Sequence, residues 1–237
     1  MNPEIEQAIQ EYIGEQFIEW LQEYITHTFQ SWPVVGQILQ AETKPERLKK
    51  FMIQVYLANQ AFFGTKEGDP GFLRFAIANL SESSDPTAET ALESLEQRRQ
   101  SELVKQADLA TAWQKLLQHL GAEIEELDRT KPKEATRSLI ADLSDLYSAS
   151  DWQIAVGAYA SGEVIEQLEN QMFIKLLKRF GVAEKDLHVL NKDVNINHVL
   201  DKIVFDPQAK SLVLEGCRRQ LEVHQEFLNQ LVKYLHN

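Results

Sequence analysis

Apolar positions recur at three- and four-residue spacing from one end of the chain to the other, and the pattern breaks only at proline, glycine or a polar cap. Ile5, Ile9, Ile13, Phe17, Trp20, Tyr24 and Ile25 mark one stripe, which predicts a single first helix from Pro3 to about Phe29. Pro33 opens a short helix through Leu39, and Thr43-Lys44-Pro45-Glu46 has the spacing of a capping box ahead of a helix that ends at Gly64. Further helices are expected over 72–80, after Asp85-Pro86 with Leu92, Leu95 and Leu103 buried, and from Asp108 as N-cap to Gly121. The charged stretch 123–134 contains Pro132 and reads as a solvated connector, after which helix resumes before Leu139 and continues to about Tyr147. The longest unbroken pattern starts at Ser150 or Asp151 and stops at Gly181; helices over roughly 184–204 and from Pro207 to about Tyr234 complete the chain. No stretch sustains period-two alternation. The pattern therefore predicts an all-α globular bundle, and no linker divides residues 1–237 into more than one domain.

Composition narrows the partners. A net charge of −12 over 237 residues sets the field of the whole protein against nucleic acid and against anionic membranes, and pairs such as Arg98-Arg99 are too small to reverse it. No window approaches the length of a membrane span, and the opening residues carry neither the basic start nor the apolar run of a signal peptide, so a cytoplasmic protein is expected. The single cysteine, Cys217, precludes an intramolecular disulfide and a thiolate metal cluster. A homo-oligomer is compatible with this sequence.

Several polar residues interrupt apolar stripes. Glu163 falls within the stripe Trp152, Val156, Tyr159, Asn170, Ile174 and Leu177, where a lone carboxylate must be protonated, paired or bound to a cation. A lysine or arginine from a neighbouring helix and a functional site both satisfy that requirement. Asn191, Asn195 and His198, spaced i, i+4, i+7, would share one face of the 184–204 helix, either as a polar seam or as the lining of a site. Tyr56, Asn59 and Phe62 lie on an aromatic-rich helix that serves as core or, together with Tyr159, as the wall of a pocket for an apolar ligand.

The order of these segments resembles the heme-oxygenase-like fold, in the branch that holds CADD-like proteins, TenA and PqqC relatives and non-heme di-iron oxidases. The resemblance is carried by Trp32-Pro33-Val34-Val35, the aromatic helix from Phe51 to Phe63, Glu93 to Gln97 followed by Trp113 to Gly121, and the closing stretch from Leu214 to Leu228. It implies a multi-helix bundle with a central pocket. In di-iron members a late helix carries His, three residues, Asp, two residues, His; here those positions hold Asn191, Asn195 and His198, so only the last histidine remains. The resemblance places the mid-chain glutamate on Glu163 and the early one on Glu96 or Gln97, and sets Asp108 near the histidine that follows.

Asparagine is a neutral, weak donor, so the substituted motif departs from an oxygen-activating iron site and moves toward the oxygen-rich ligand sets that Mg²⁺ prefers. Three functions follow. The resemblance implies a divergent oxidase or oxygenase with a divalent metal and an apolar small-molecule substrate. The donor set also fits an Mg²⁺-dependent lyase of a prenyl-diphosphate type of substrate, although no DDxxD-type motif is present. The third is a metal-free binding or interaction protein that kept the fold. No heme is expected in any of them.

Overall fold

The computed structural model describes residues 3–63, 71–191 and 196–236, and their side chains except those of 62–63, 101–108, 189 and 197–198. Its helices are α1 (Pro3–Gln10), α2 (Gly14–Ser31), α3 (Pro33–Gln40), α4 (Pro45–Phe63), α5 (Leu73–Ser81) and α6 (Pro86–His119), followed by α7 (Ile124–Arg129), α8 (Glu134–Tyr147) and α9 (Trp152–Arg179). Two 3₁₀ turns, Glu184–Asp186 and His188–Leu190, lead to α10 (Asn197–Leu200), α11 (Pro207–Leu231) and α12 (Lys233–His236). The described residues contain no strand. No helix among them is long and apolar enough to cross a membrane.

Local chemistry explains most helix ends. Asp85 and Asp206 cap α6 and α11, their carboxylates accepting from Thr87 N at 2.9 Å and from Gln208 N and Ala209 N at 2.8 and 2.9 Å. Gly121 and Gly181 follow α6 and α9 with φ of 81° and 79°, conformations an L side chain resists. Each closes a Schellman motif: Ala122 N bonds Leu117 O and Gly121 N bonds Gln118 O, and Val182 N and Gly181 N repeat the arrangement on Leu177 O and Lys178 O. The expected capping box at Thr43 does not form, because its hydroxyl finds no partner among the described residues.

Four expected elements differ from the structure, among them the solvated connector 123–134, which holds α7 with Leu127 buried. The first helix breaks between Gln10 and Gly14, where Gly14 has φ 41° and Ile13 is exposed. Lys210 explains the break: it is buried on α11, donates to Ile9 O at 3.1 Å and also to Tyr12 O, and so places a cation at the C-terminal carbonyls of α1. Asp108 starts no helix, because α6 passes through it without interruption. Extending an existing helix avoids a second nucleation cost, and this outweighs the preference of aspartate for a cap. The single helix over 184–204 is replaced by the two 3₁₀ turns and α10, with Asn191 extended at φ −91°, ψ 103°.

The scaffold is the α9–α11 pair. Val213 packs on Gly157, Gly216 against Ala158, Cys217 on Ser161 and His224 on Glu169, so matched positions rise together along both helices and the pair is parallel. The chain between them must therefore return along α9, whose 28 residues span about 42 Å at 1.5 Å per residue. Neither Gly157 nor Gly216 has room for a methyl group: a Cβ on either would overlap the opposing carbonyl oxygen, of Val213 or of Ile154. This close approach makes α9 the most enclosed helix, with Glu163, Glu166, Glu169 and Asn170 all buried on it.

Candidate functional site

Glu163 is 3% exposed, and the structure gives it a cationic partner from α6. Arg98 Nη2 donates to Glu163 Oε2 at 2.6 Å, and Arg98 Nε donates to the Tyr159 hydroxyl at 3.2 Å. Tyr159 lies one turn before Glu163 on the same face of α9, so one guanidinium joins two residues of that turn. Glu166, a further three residues on, is buried as well. The next residue of α6, Arg99, has its Nε buried with no acceptor among the described residues.

The predicted residues divide around this pair. Glu163 and Tyr159 meet at Arg98. Glu96 and Gln97 are exposed and point away, a correction to the expectation that one of them is a ligand; Leu95 takes the buried position of that turn and Arg98 reaches inward instead. Asn191 is exposed and lies outside any helix, with an extended backbone, so it is not on the helix that was to carry it. Asn195 lies outside the described residues, as do the side chains of Asp108, His198 and Phe62. Asn59 is half-buried. Tyr56 is buried at a different level of the bundle, with its ring 6.1 Å from that of Trp113 and its hydroxyl accepting from Gln60 Nε2 at 2.5 Å. Trp113 stands about 22 Å along α6 from Arg98, so Tyr56 and Tyr159 do not form one wall through that helix. Burial raises the pKa of the Tyr56 hydroxyl above its ordinary value; Asp128 adds to the rise and the Gln114 side chain opposes it.

Sequence reasoning missed a second buried polar cluster. His224 Nδ1 donates to Glu169 Oε1 at 2.9 Å, and the Gln220 amide donates to His224 Nε2 at 3.1 Å, which fixes the imidazole tautomer. All three residues are buried between α9 and α11, and Gln220 Oε1 has no partner among the described residues. The available signal was the i, i+4 pair Gln220 and His224 beside the apolar positions Cys217, Leu221 and Leu228. For Arg98 the signal was its place in the stripe Ala88, Ala91, Leu95, Arg98.

Cys217 offers no nucleophile. Burial pushes its thiol up to about 12, against smaller opposing contributions from the Ser161 hydroxyl and Arg218. Below about pH 9 folded and unfolded chains both hold the proton, so the group adds no pH dependence. Above that only the unfolded chain releases it, and stability should fall by about 1.4 kcal/mol per pH unit from this group until the folded thiol also titrates. Thiol labelling at pH 8 should proceed only at the rate of unfolding, and Cys217→Ser should flatten the alkaline limb of a denaturation series; rapid labelling of the native protein would contradict the burial.

The metal expected from the resemblance meets an unsuitable donor set here. A guanidinium 2.6 Å from the Glu163 carboxylate places a fixed positive charge where a metal ion would bind, and like charges at that distance repel strongly in a buried site. Among the described residues no group of three or more His, Cys, Asp or Glu side chains is arranged to hold a metal ion.

No protein-family model matches the sequence, and no curated protein matches it. Solved structures do match. A domain of unknown function with a heme oxygenase-like fold from Shewanella denitrificans superposes with a TM-score of 0.63 at 13% identity, covering 91% of this chain and 90% of that one. A TenA homolog from Pseudomonas syringae pv. tomato superposes with a TM-score of 0.60 at 12% identity, covering 89% of this chain and 92% of its own. Both alignments run over nearly the whole of each chain, so the likeness extends to the order and packing of the helices. The chain has the heme oxygenase-like fold.

Proposed function

We propose that the interior beside α6 and α9 binds a small, largely apolar molecule without a di-iron centre, as a binding protein or as an enzyme whose chemistry rests on its own side chains. The observation that carries this reading is the Arg98–Glu163 pair. The one buried glutamate that the resemblance assigned to metal is already neutralised by a guanidinium, which iron would have to displace. Tyr159 adds an aromatic face with a hydroxyl at its tip, a combination suited to a ligand that is mostly apolar.

A second reading keeps the same place and supplies Mg²⁺ with a diphosphate-bearing apolar substrate. It is favoured by Glu163 and Glu166, two buried carboxylates at i, i+3 that offer the hard oxygen donors Mg²⁺ takes. Elemental analysis of protein purified without chelator, with thermal shifts in Fe²⁺, Mn²⁺ and Mg²⁺, separates these readings. The first expects no stoichiometric metal and no metal shift that depends on Glu163, together with a rise in melting temperature on adding medium-chain alcohols. Stoichiometric iron that disappears in Glu163→Gln would restore the oxidase reading. A Mg²⁺ shift seen only with a prenyl diphosphate would favour the second.

A further inference from the structure

We propose that residues 11–14 are a two-state hinge, held broken by Lys210 in this structure and able to heal into one helix that runs from α1 into α2 when the lysine lets go. The same two acceptors serve both states. In the structure Lys210 Nζ donates to Ile9 O at 3.1 Å and to Tyr12 O; in an unbroken helix these carbonyls would accept from Ile13 N and Gln16 N, four residues on. Gln16 N donates instead to Ile13 O at 3.0 Å, and Ile13 is extended at φ −116°, ψ 144°. A second observation is independent of the lysine. Gly14 holds φ 41° with nothing within 4 Å of where its Cβ would be, so no neighbouring group enforces the turn and the path of the chain alone maintains it.

The two states are balanced by opposing local terms. Ile5, Ile9, Ile13, Phe17, Trp20 and Tyr24 form one apolar stripe only on an unbroken helix, and the break leaves Ile13 72% exposed. Against healing stand the burial of Ala8 and Ile9 on α1 and the hydrogen bonds of Lys210, which is 2% exposed with its Nζ 5.9 Å from the centre of the Phe17 ring. An eight-residue helix has little stability of its own, so α1 depends on these attachments. The direction of the movement follows from the packing. Phe17 lies beside Lys210 and Tyr24 beside Arg218, so α2 runs parallel to α11, and Gly14 is level with the start of α11. A straight continuation of α2 would carry residues 3–13 about 16 Å past that end, withdraw Ile9 from α11 and leave the Lys210 ammonium facing water. Discrete alternatives of this kind, set by a few residues at a helix end, are what make a hinge a switch.

Backbone ¹³Cα chemical shifts of Tyr12 and Ile13, with chemical-exchange saturation transfer to detect a minor conformer, test the hinge in the full chain. The wild type should show an extended Ile13. Lys210→Met keeps the apolar stem and removes the donors, and should move both residues to helical shifts. Gly14→Ala leaves the lysine in place and should raise the ratio of helical to broken conformers at least about tenfold, because alanine resists positive φ and favours helix. This second variant decides the question if Lys210→Met does not fold. Extended shifts at Ile13 that persist in both variants would overturn the hinge, as would random-coil shifts in place of helical ones. A helical conformer no more populated in Gly14→Ala than in the wild type would overturn it as well.

Discussion

Gly216→Ala should destabilise the protein by roughly 3 kcal/mol or more, near the upper end of what overpacking costs, and Gly157→Ala should do the same. In each case the new methyl group meets backbone and not a side chain that can swing away: on Gly216 it would stand 2.8 Å from Ala158 N and 2.9 Å from Ile154 C, and on Gly157 2.8 Å from the Cα and carbonyl carbon of Val213. Relief requires α9 and α11 to separate, which loosens Cys217, Ser161, Val213 and the apolar side chains around them. Gly36 supplies the contrast. It lies within α3, with open space where its Cβ would be, so Gly36→Ala should stabilise by about 0.5–1 kcal/mol through helix propensity alone. Chemical denaturation of the three variants gives the comparison; a mild effect at Gly216 would mean that the two helices are further apart than the structure has them.

Elements whose ends depend on local chemistry were legible in the sequence. Asp85-Pro86, Asp206-Pro207, Gly121 and Gly181 mark boundaries because capping and positive φ are decided within a few residues, and the structure places helix ends at all four. What could not be read locally was decided by partners far along the chain. Ile13 continues a perfect apolar stripe, yet Lys210 draws the Tyr12 carbonyl out of helical register and leaves Ile13 exposed. In the same way, α6 is polar around most of its circumference near Arg98 and Arg99, so the stripe fades although the helix does not. The residues 184–204 were the most misleading. Their spacing matched a helix, but spacing has meaning only on a helix that forms, and the described residues of this segment form two 3₁₀ turns and the four-residue α10 instead.

The candidate site was half legible for the same reason. A glutamate inside an apolar stripe announces that something must neutralise it, and Glu163 does lie buried as its stripe demanded. Burial alone names no partner. Whether the partner is a cation from solution or a guanidinium from α6 depends on how two helices are packed, with Arg98 and Glu163 65 residues apart in sequence, and the surface-like composition around Arg98 concealed its role. Glu169, His224 and Gln220 were missed because each is unremarkable on its own helix and acquires meaning only when α9 and α11 are side by side.

The ion pair itself should respond unequally to loss of its two partners. Arg98→Met should cost about 3–5 kcal/mol, since it removes the guanidinium bonded to a carboxylate that is only 3% exposed. Glu163→Gln should cost less, about 1–2 kcal/mol, because the Arg98 side chain is 20% exposed and can turn toward water while Tyr159 keeps its hydrogen bond. The double variant should be closer in stability to Glu163→Gln than to Arg98→Met, as removing the second charge removes the penalty the first substitution created. A metal-ligand role for Glu163 leads to a different order: the protein without metal would then gain stability from Glu163→Gln, and Arg98→Met would open the carboxylate to Fe²⁺ or Mg²⁺ with a rise in melting temperature on adding the ion. Urea denaturation of the four proteins, repeated with each metal, decides between the two orders. Arg98→Met that is as stable as wild type and insensitive to metal would show that Glu163 is neutralised by some other group, and the ion pair would lose its place as the organising interaction of the site.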